Sequence, residues 1–222
     1  MTLPIGAIVS TPPPGTLPDL RTIHGRYITL EALNPAKHGP QLWNAVKGHD
    51  EVWTYLFSGP YADEASFTAW ISAIAAKRDP WFYAYVVDGV ALGMGSLMRA
   101  DPAHGVIEIG GIMISPAMQQ TRASTEATFL FMQHAFEILG CRRFEWKCNS
   151  FNEPSIRAAK RFGFTYEGTF RQHMVVKGHN RDTAWFSLLD SEWPRVKAGF
   201  EAWLSESNFD AAGRQKAKLQ LT

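Results

Sequence analysis

The sequence lacks the features that mark several common classes of protein. Its 222 residues include only two cysteines, in no Cys-x-x-Cys pair, which argues against a disulfide scaffold and against a zinc site. No stretch approaches the roughly 18 apolar residues that a membrane helix needs. Twenty-two basic and twenty-one acidic residues leave a formal net charge of +1, so no overall field attracts nucleic acid or an anionic membrane. We expect no metal, no nucleic-acid partner and no membrane partner.

The start of the chain is rich in proline and poor in positive charge. Five prolines lie among the first twenty residues, and no basic residue precedes Arg21, unlike the charged start of a secretory signal. The run Pro12-Pro13-Pro14-Gly15 cannot build regular structure. We therefore expect residues 1–22 to form an extended arm lying across the domain or a partner, and we expect a cytoplasmic protein.

The middle of the chain has the pattern of an antiparallel sheet. Residues 81–87 and 90–98 are rich in aromatic and β-branched side chains, and Asp88-Gly89 between them is typical of a two-residue type I′ turn. The apolar run 106–114 carries one charge, at Glu108, and the pair Gly110-Gly111 within it indicates a bulge. This region predicts three consecutive strands.

The remaining patterns add helices and more strands around this sheet. Hydrophobic content is 45%, enough for a buried core. We predict an α+β domain over residues 23–190, followed by a C-terminal helix and a mobile tail over 191–222. The predicted strands are 26–33, 143–148, 164–176 and 181–189, and the predicted helices are 41–47, one following Asp63, 124–139, 153–162 and 191–204.

One helix start offers a candidate anion site. The strand that ends at Ser115-Pro116 is followed within a few residues by a helix without a well-capped connector. The first amides of a helix are unpaired donors at the positive end of its dipole, so residues 119–125 are a candidate cradle for phosphate. The alternative is that Ser124 or Thr125 merely caps the helix.

A second segment, residues 149–168, carries a specific resemblance. Its Asn152, Ser155, Arg157, Gly163-Phe164 and Glu167-Gly168 match every fixed position of the pattern N-x-x-S-x-R-x-x-x-x-x-G-F-x-x-E-G. This stretch resembles the RimJ/RimL-like branch of the GNAT N-acetyltransferases, and the similarity extends over about residues 23–190. The resemblance implies an acetyltransferase that uses acetyl-coenzyme A as donor and a primary amine as acceptor.

The resemblance also implies a place for the donor. In the GNAT fold a central mixed, mostly antiparallel sheet is flanked by helices, and the pantetheine arm lies between two parallel strands that splay apart, here 106–114 and 143–148. Family members bind the pyrophosphate with a Q/R-x-x-G-x-G/A loop, whose glycine positions are Arg122 and Ser124 in this chain. Arg122 either obstructs the phosphates or binds them. The implied cofactor-binding residues are Ile112, Met113, Ile114, Gln119, Gln120, Thr121, Arg122, Ala123, Ser124, Thr125, Asn152, Ser155 and Arg157.

Two residues are candidates for catalysis. Glu108, the single charge in its apolar strand, would be a base at the rim of the cleft, or else an outward-facing edge charge. Ser155 corresponds to a family position near the sulfur, where a hydroxyl can donate to the departing thiolate; the alternative is an ordinary first-turn serine beneath the cap Asn152. His134 is predicted to be a hydrogen-bonded core residue.

The acceptor and the assembly stay open at this stage. Aromatic residues at Trp43, Trp53, Tyr55, Phe57 and Tyr61 border the acceptor region of the fold or belong to the core. The acceptor is the N-terminal α-amine of a peptide or protein, or a small-molecule amine. A non-catalytic acyl-coenzyme A or peptide-binding module with a degenerate pyrophosphate loop is the alternative function. The arm and the apolar strands leave room for a homodimer.

Overall fold

The computed structural model describes residues 3–11 and 13–221. In this part of the chain, eight strands form a single sheet in the order β1-β2-β3-β4-β5-β6-β8-β7. All neighbouring strands are antiparallel except β5 and β6, which are parallel. The strands are β1 (Ile23–His24), β2 (Thr29–Ala32), β3 (Trp81–Val87), β4 (Val90–Asp101), β5 (Val106–Ile114), β6 (Arg143–Asn149), β7 (Thr165–Val176) and β8 (His179–Leu189). The α-helices are α1 (Pro35–Val46), α2 (Glu64–Ala75), α3 (Arg122–Gln133), α4 (Glu153–Arg161) and α5 (Trp193–Leu204).

The helices cover the two faces of the sheet unequally. Leu42 of α1 and Phe67 of α2 pack with Ala84 and Met94 of β3 and β4, so one face is covered only over part of its width. We call it the α1–α2 face. A larger core on the other face, the α3–α5 face, joins Phe131, Phe162 and Phe200 to the same sheet and other elements. The predicted α+β class, with a mixed and mostly antiparallel sheet flanked by helices, is confirmed.

The local features of the central strands agree with the sequence prediction. Asp88 and Gly89 both have positive φ, 49° and 81°, as a type I′ turn requires. The pairing of β4 with β5 shifts register between Met94 and Ser96, and Gly111 has a φ of 59° there. A Cβ on Gly111 would lie 2.8 Å from the Phe82 ring. The bulge predicted at the glycine pair is therefore confirmed.

Two helices differ from the predicted bounds. Helix α1 begins at Pro35, capped by Asn34, and continues through Pro40, whereas the predicted helix began at residue 41. It continues because its later turns bury Leu42 and Val46 in the core. Helix α3 begins at Arg122 rather than 124, and a π-helical stretch, His134–Ile138, follows it.

Segments near both ends of the described chain pack on the domain, although residues 3–11 are exposed. Pro13 and Pro14 lie against Gly105 and Gly140, in line with the predicted arm across the domain, whereas Pro12 lies outside the described residues. Helix α5 belongs to the α3–α5 core. Parts of the predicted mobile tail contact the domain, because Gln215 accepts a 2.9 Å hydrogen bond from Trp203 Nε1 and Leu219 and Leu221 pack against the core. Among the described residues no helix is long and apolar enough to cross a bilayer.

Candidate active site

The parallel strands β5 and β6 separate halfway along their length. Residues 106–109 pair with 143–146, with Ile109 opposite Trp146 as the last pair, although β5 continues to Ile114 and β6 to Asn149. Beyond that pair β5 remains bonded to β4 on its other side. Its backbone groups on the β6 side, including those of Ile112–Ile114, face a crevice and need partners. The strand separation implied by the resemblance is present.

Helix α3 begins directly beyond the crevice. Thr121 is its cap, accepting from Ser124 N at 3.2 Å, so the alternative in which Ser124 or Thr125 caps is wrong. Thr125 N bonds to the Thr121 carbonyl. Among the described residues, the amides of Arg122 and Ala123 in the first turn form no backbone hydrogen bond. This is expected at a helix start, where no carbonyl of the preceding turn is present to accept from the first amides. The first turn therefore presents donors to an anion.

The loop before α3 places its unusual backbone conformation at Gln120. Gln120 has a φ of 59°, whereas Arg122 is the first helical residue and is not among the residues with positive φ. Arg122 therefore carries no strain from a positive φ. The Arg122 guanidinium carbon lies 4.1 Å above the Tyr27 ring and 5.4 Å from that of Phe209. This side chain is held by aromatic rings rather than by the turn itself.

Two cations of α4, Arg157 and Arg161, lie in different surroundings. Arg157 is an exposed side chain 3.8 Å from Glu153. Arg161, which sequence reasoning did not select, donates from Nη1 to Thr125 Oγ1 at 3.1 Å and so joins α4 to the first turn of α3. The sequence signal for Arg161 was its position in the basic last turn of α4.

Ser155 lies at the point where the strands part. Asn152 Oδ1 accepts from Ser155 N at 3.2 Å, which confirms Asn152 as the helix cap. Ser155 Oγ accepts a 2.9 Å hydrogen bond from the indole of Trp146, the last residue of the parallel pairing. Burial raises the pKa of the nearby Cys148 thiol, with a hydrogen bond from Ser155 opposing that rise. The serine hydroxyl is thus oriented by its neighbours, and its proton can point to the Cys148 sulfur or to another acceptor nearby.

Glu108 lies on the α1–α2 face, one residue before the strands part. It is 5% exposed and its strand is flanked by β4 and β6, so the reading of Glu108 as an outward-facing edge charge is wrong. Oε2 lies 3.0 Å from Lys147 Nζ and 3.4 Å from Arg99 Nη1. Burial raises the pKa of Glu108, and the charges of Lys147 and Arg99 limit the rise. A buried carboxyl with a raised pKa is suited to proton transfer.

Glu108 belongs to a chain of ion pairs along the sheet. Lys147 Nζ also lies 2.7 Å from Glu145 Oε2, and Arg143 bonds to both Glu145 and Glu167. Although burial acts to raise the pKa of Glu145, hydrogen bonds from Lys147 and Arg143 outweigh it and hold that pKa low. We call this set the ion-pair chain; its members are Arg99, Glu108, Lys147, Glu145, Arg143 and Glu167.

Aromatic and polar side chains of β8 and β7 lie next to the ion-pair chain on the same face of the sheet. Lys147 is opposite Trp185 in the β6–β8 ladder, with Nζ 3.7 Å from the ring centroid. The rings of Phe170 and Trp185 are tilted by 39° with their centroids 4.6 Å apart, and His173 Nδ1 is 2.9 Å from Thr183 Oγ1. We call the surface over β6, β8 and β7 on this face the groove.

The aromatic cluster predicted near the acceptor region divides into two groups. Trp43, Trp53 and Tyr61 pack in the core with α1 and α2. Tyr55 and Phe57 border the groove, because Tyr55 donates to the Phe151 carbonyl at 2.9 Å and Phe57 lies over Arg181. His134 is buried as predicted, but its Nε2 has no hydrogen-bond partner among the described residues, so it is not fully satisfied.

Sequence reasoning missed Lys147 and Arg181 on this face. A signal for Lys147 was present, since Arg143, Glu145 and Lys147 alternate with buried residues along β6 and therefore share one side of the sheet. No comparable signal identified Arg181, whose burial depends on packing from distant segments.

Comparison with known proteins agrees with this geometry. Residues 28–165 match the family described as acetyltransferase (GNAT) domain. The crystal structure of a GCN5-related N-acetyltransferase from Brucella melitensis is 51% identical, with a TM-score of 0.91 and coverage of 95% of this chain and 96% of that one. An acetyltransferase structure of the GNAT family from Chromobacterium violaceum is 41% identical, with a TM-score of 0.79 over 87% of this chain and 98% of that one.

A curated relative adds a more specific name. The Bacillus subtilis protein named "Putative ribosomal N-acetyltransferase YdaF" is 33% identical over 110 residues, which are 50% of this chain and 60% of that protein. Its name agrees with the RimJ/RimL-like resemblance of residues 149–168. Since the family match covers more than half of the chain and the Brucella structure superposes over nearly all of it, the chain belongs to the GNAT family of acetyltransferases.

Proposed function

We propose that this protein transfers an acetyl group from acetyl-coenzyme A to a primary amine. The observation that carries the proposal is the crevice beyond Ile109 and Trp146, which has free helix amides at one end and the buried carboxyl of Glu108 beside it. Acetyl-coenzyme A supplies an acetyl thioester and a thiol leaving group. The helix amides can bind the phosphates of such a donor, and the carboxyl of Glu108 can accept a proton from an attacking amine.

The crevice residues fit the donor. We assign the backbone of residues 112–114 to the pantetheine arm, since those groups lack a β6 partner. Residues 119–125 receive the pyrophosphate on the first-turn amides of α3. Because Arg122 points to Tyr27, it leaves that turn accessible. We assign Asn152 to the pantetheine arm as well as to the cap of α4, and the exposed cation Arg157 to the phosphates.

Two side chains carry the proton transfers. Glu108 accepts the proton that the amine loses, through one water, because its raised pKa brings it closer to neutral pH than an exposed glutamate. Ser155 donates its hydroxyl hydrogen to the departing thiolate, since its oxygen already accepts from Trp146. A thiol with an ordinary pKa of about 8.5 needs only modest assistance to leave.

The groove favours the terminal amine of a peptide over a closed-pocket small molecule. The aromatic residues that would close a pocket, Trp53 and Tyr61, pack in the core. The sides of the groove are exposed aromatic rings, with Phe170 at 53% and Phe151 at 74% exposure. An α-amine has a pKa near 7.7 to 8.0, so it loses a proton more readily than lysine at about 10.4. The name of the Bacillus relative points the same way.

We place this activity in a unit spanning residues 23–190, with an N-terminal arm, residues 1–22, and a C-terminal segment, residues 191–222, outside it. Pro13, Pro14 and helix α5 pack against this unit. The expected location is the cytoplasm, and we expect no metal, nucleic-acid or membrane partner. A homodimer is compatible with the side chains of Leu3, Ile5 and Ile8, which are each more than 80% exposed. Sedimentation analysis of the full chain and of a chain lacking residues 1–11 tests the dimer.

Calorimetry with acetyl-coenzyme A, followed by a thiol-release screen of amines and peptides, tests the function. Micromolar binding and thiol release with α-amino peptides support the proposal. Absence of binding would instead favour the non-catalytic module. Glu51→Gln, an exposed change outside the crevice, is the matched control for charge substitutions, since the Glu51 side chain is 68% exposed.

A further inference from the structure

Arg181 occupies an unusual place for a cation. It lies on β8 opposite Met174 of β7, two residues before Thr183, so its side chain shares the groove face with Thr183 and Trp185. The residue is only 6% exposed. Thr183 is opposite Asn149 at the end of β6, which puts Arg181 beyond the end of the parted strands on the side where an acceptor would approach.

No carboxylate among the described residues forms an ion pair with this buried cation. Its Nε has no hydrogen-bond partner. The ion pairs formed in the described part of the chain do not include it. Its sequence neighbour Asp182 instead accepts from Gln172 N and from Asn180 Nδ2.

The nearby carboxylates are already engaged. Glu108 acts on Arg181 through space but is paired with Lys147 and Arg99. The ion-pair chain holds three cations and three carboxylates, so it balances without Arg181. Arg181 is therefore a surplus positive charge. Burying an ion without a partner is strongly unfavourable, which makes an anionic ligand the natural complement.

An exposed aromatic ring lies over the guanidinium of Arg181. Its central carbon lies 4.7 Å from the centre of the Phe57 ring, and Phe57 is 54% exposed on a segment outside the sheet. An aromatic ring over a cation gives a weak and replaceable interaction compared with a carboxylate. Rotation of this exposed ring would admit an anion to Arg181 without disturbing the core.

We propose that the acceptor carries a carboxylate close to its reacting amine and that Arg181 binds this carboxylate. The inference rests on the proposed acetyl transfer and names the acceptor class more closely. Two sources supply the same chemistry: an acidic side chain next to the terminal residue of a peptide, or the α-carboxylate of an amino acid. In both, Arg181 makes a bidentate, charge-assisted pair and so orients the amine toward the crevice.

The test uses matched acceptors that differ only in this charge. One arm compares a short peptide with Asp at its second position against the same peptide with Asn; the other compares an amino acid with its carboxamide. Each is measured by thiol release with the full-length protein and by calorimetric binding of the acceptor alone. We expect a preference of about 10- to 100-fold for the carboxylate in at least one arm, expressed mainly in KM and in binding.

Variants separate recognition from folding and from chemistry. Arg181→Gln should remove the preference for the charged acceptor, while kcat for the uncharged acceptor stays within about threefold. Arg181→Lys should retain part of the preference, because it keeps the charge. The control Arg171→Gln, at an exposed residue, should retain the full preference. If Arg181→Gln folds poorly by circular dichroism, Arg181→Met replaces it.

Three results would overturn the inference. The first is equal binding of the charged and uncharged acceptors, and the second is a preference that survives Arg181→Gln. The third is an equal loss of kcat for both acceptors in that variant, which would give Arg181 a role in the reaction instead. Absence of thiol release with every acceptor would refute the proposed acetyl transfer but not the role of Arg181. Calorimetric binding of the charged and uncharged acceptors still decides whether Arg181 recognises a carboxylate.

Discussion

Glu108 of β5 lies opposite Glu145 in the one parallel strand pair of the described chain, and Lys147, two residues beyond Glu145 on β6, places its Nζ 3.0 Å from Glu108 Oε2. Both side chains are less than a tenth exposed. The pair lies beside the point where the two strands separate, so the charge of the lysine acts directly on the carboxyl that we propose as the base. This relationship gives the activity a definite pH dependence.

Glu108→Gln should lower kcat/KM by about 100-fold or more at neutral pH, as expected for loss of a general base. The wild-type rate should fall on acidification with a midpoint above the ordinary glutamate value of 4.5, because burial raises the pKa of Glu108. Lys147→Met should move that midpoint to higher pH, since the lysine charge opposes the rise. An unchanged pH–rate profile in Glu108→Gln would remove Glu108 from the mechanism, with Glu51→Gln as control.

Ser155→Ala should act mainly on turnover. The alanine cannot donate to a leaving thiolate, so kcat should fall while the dissociation constant of acetyl-coenzyme A changes little. The loss of the acceptor for Trp146 Nε1 should also cost about 1–3 kcal/mol in the free energy of unfolding. Asn34→Ala, which loses the cap of α1 outside the crevice at a cost of about 1 kcal/mol, controls for that stability effect. Equal falls in kcat in the two variants would argue against a chemical role for the hydroxyl.

Glycine should stabilise the loop before α3 at position 120 and not at position 122. Gln120 has a φ of 59°, so Gln120→Gly should raise the free energy of unfolding by about 1 kcal/mol. Arg122→Gly relieves no such strain and removes the stacking on Tyr27, so it should destabilise the protein by about 1 kcal/mol and weaken acetyl-coenzyme A binding about two- to fivefold. Urea titration and calorimetry measure both effects. Tighter binding by Arg122→Gly would mean that the arginine obstructs the turn.

Glu167 should contribute to the acid sensitivity of the fold. The hydrogen bond from Arg143 holds the pKa of Glu167 at about 2, below its ordinary 4.5. A lowered pKa in the folded state stabilises it above pH 4.5, and this stabilisation is lost as the pH falls toward 2. Since the side chain is 40% exposed, we expect Glu167→Gln to remove only about 1 kcal/mol of the stability difference between pH 7 and pH 3.

Urea unfolding at the two pH values tests the contribution of Glu167. Glu153→Gln is the matched control, because Glu153 is 66% exposed in its pair with Arg157. An identical pH dependence in wild type and Glu167→Gln would show that the Arg143–Glu167 pair has no net effect on folding.

Arg181→Met should increase stability while impairing recognition of a charged acceptor. The methionine fills a similar space and removes a buried charge that has no carboxylate partner in the described chain, so the free energy of unfolding should rise by about 1–3 kcal/mol. Thermal unfolding of the protein without acceptor measures this, with Arg171→Met on the exposed side of the same hairpin as control. A lower melting temperature would indicate that Arg181 already has a favourable partner.

Several features of the fold could be predicted because their causes are local. The Asp88-Gly89 turn requires two positive φ angles, which these residue types tolerate, and Asn152 caps α4 through a side chain three residues from the amide that it serves. The bulge at Gly111 followed from a glycine pair in an apolar strand. The predicted start of α1 at residue 41 was wrong. The helix begins at Pro35 and continues through Pro40, because the following turns are buried in the core.

The sequence by itself determined the strand and helix order, the turn chemistry and the pattern of residues 149–168 that indicated the family, because each depends on neighbours a few residues apart. Only the tertiary structure decided that Arg122 turns to Tyr27, that Glu108 is buried beside Lys147, and that Arg181 lies unpaired beneath Phe57. Those contacts join segments far apart in the chain. Their energies depend on burial and on charge separation, which exist only once the sheet has formed.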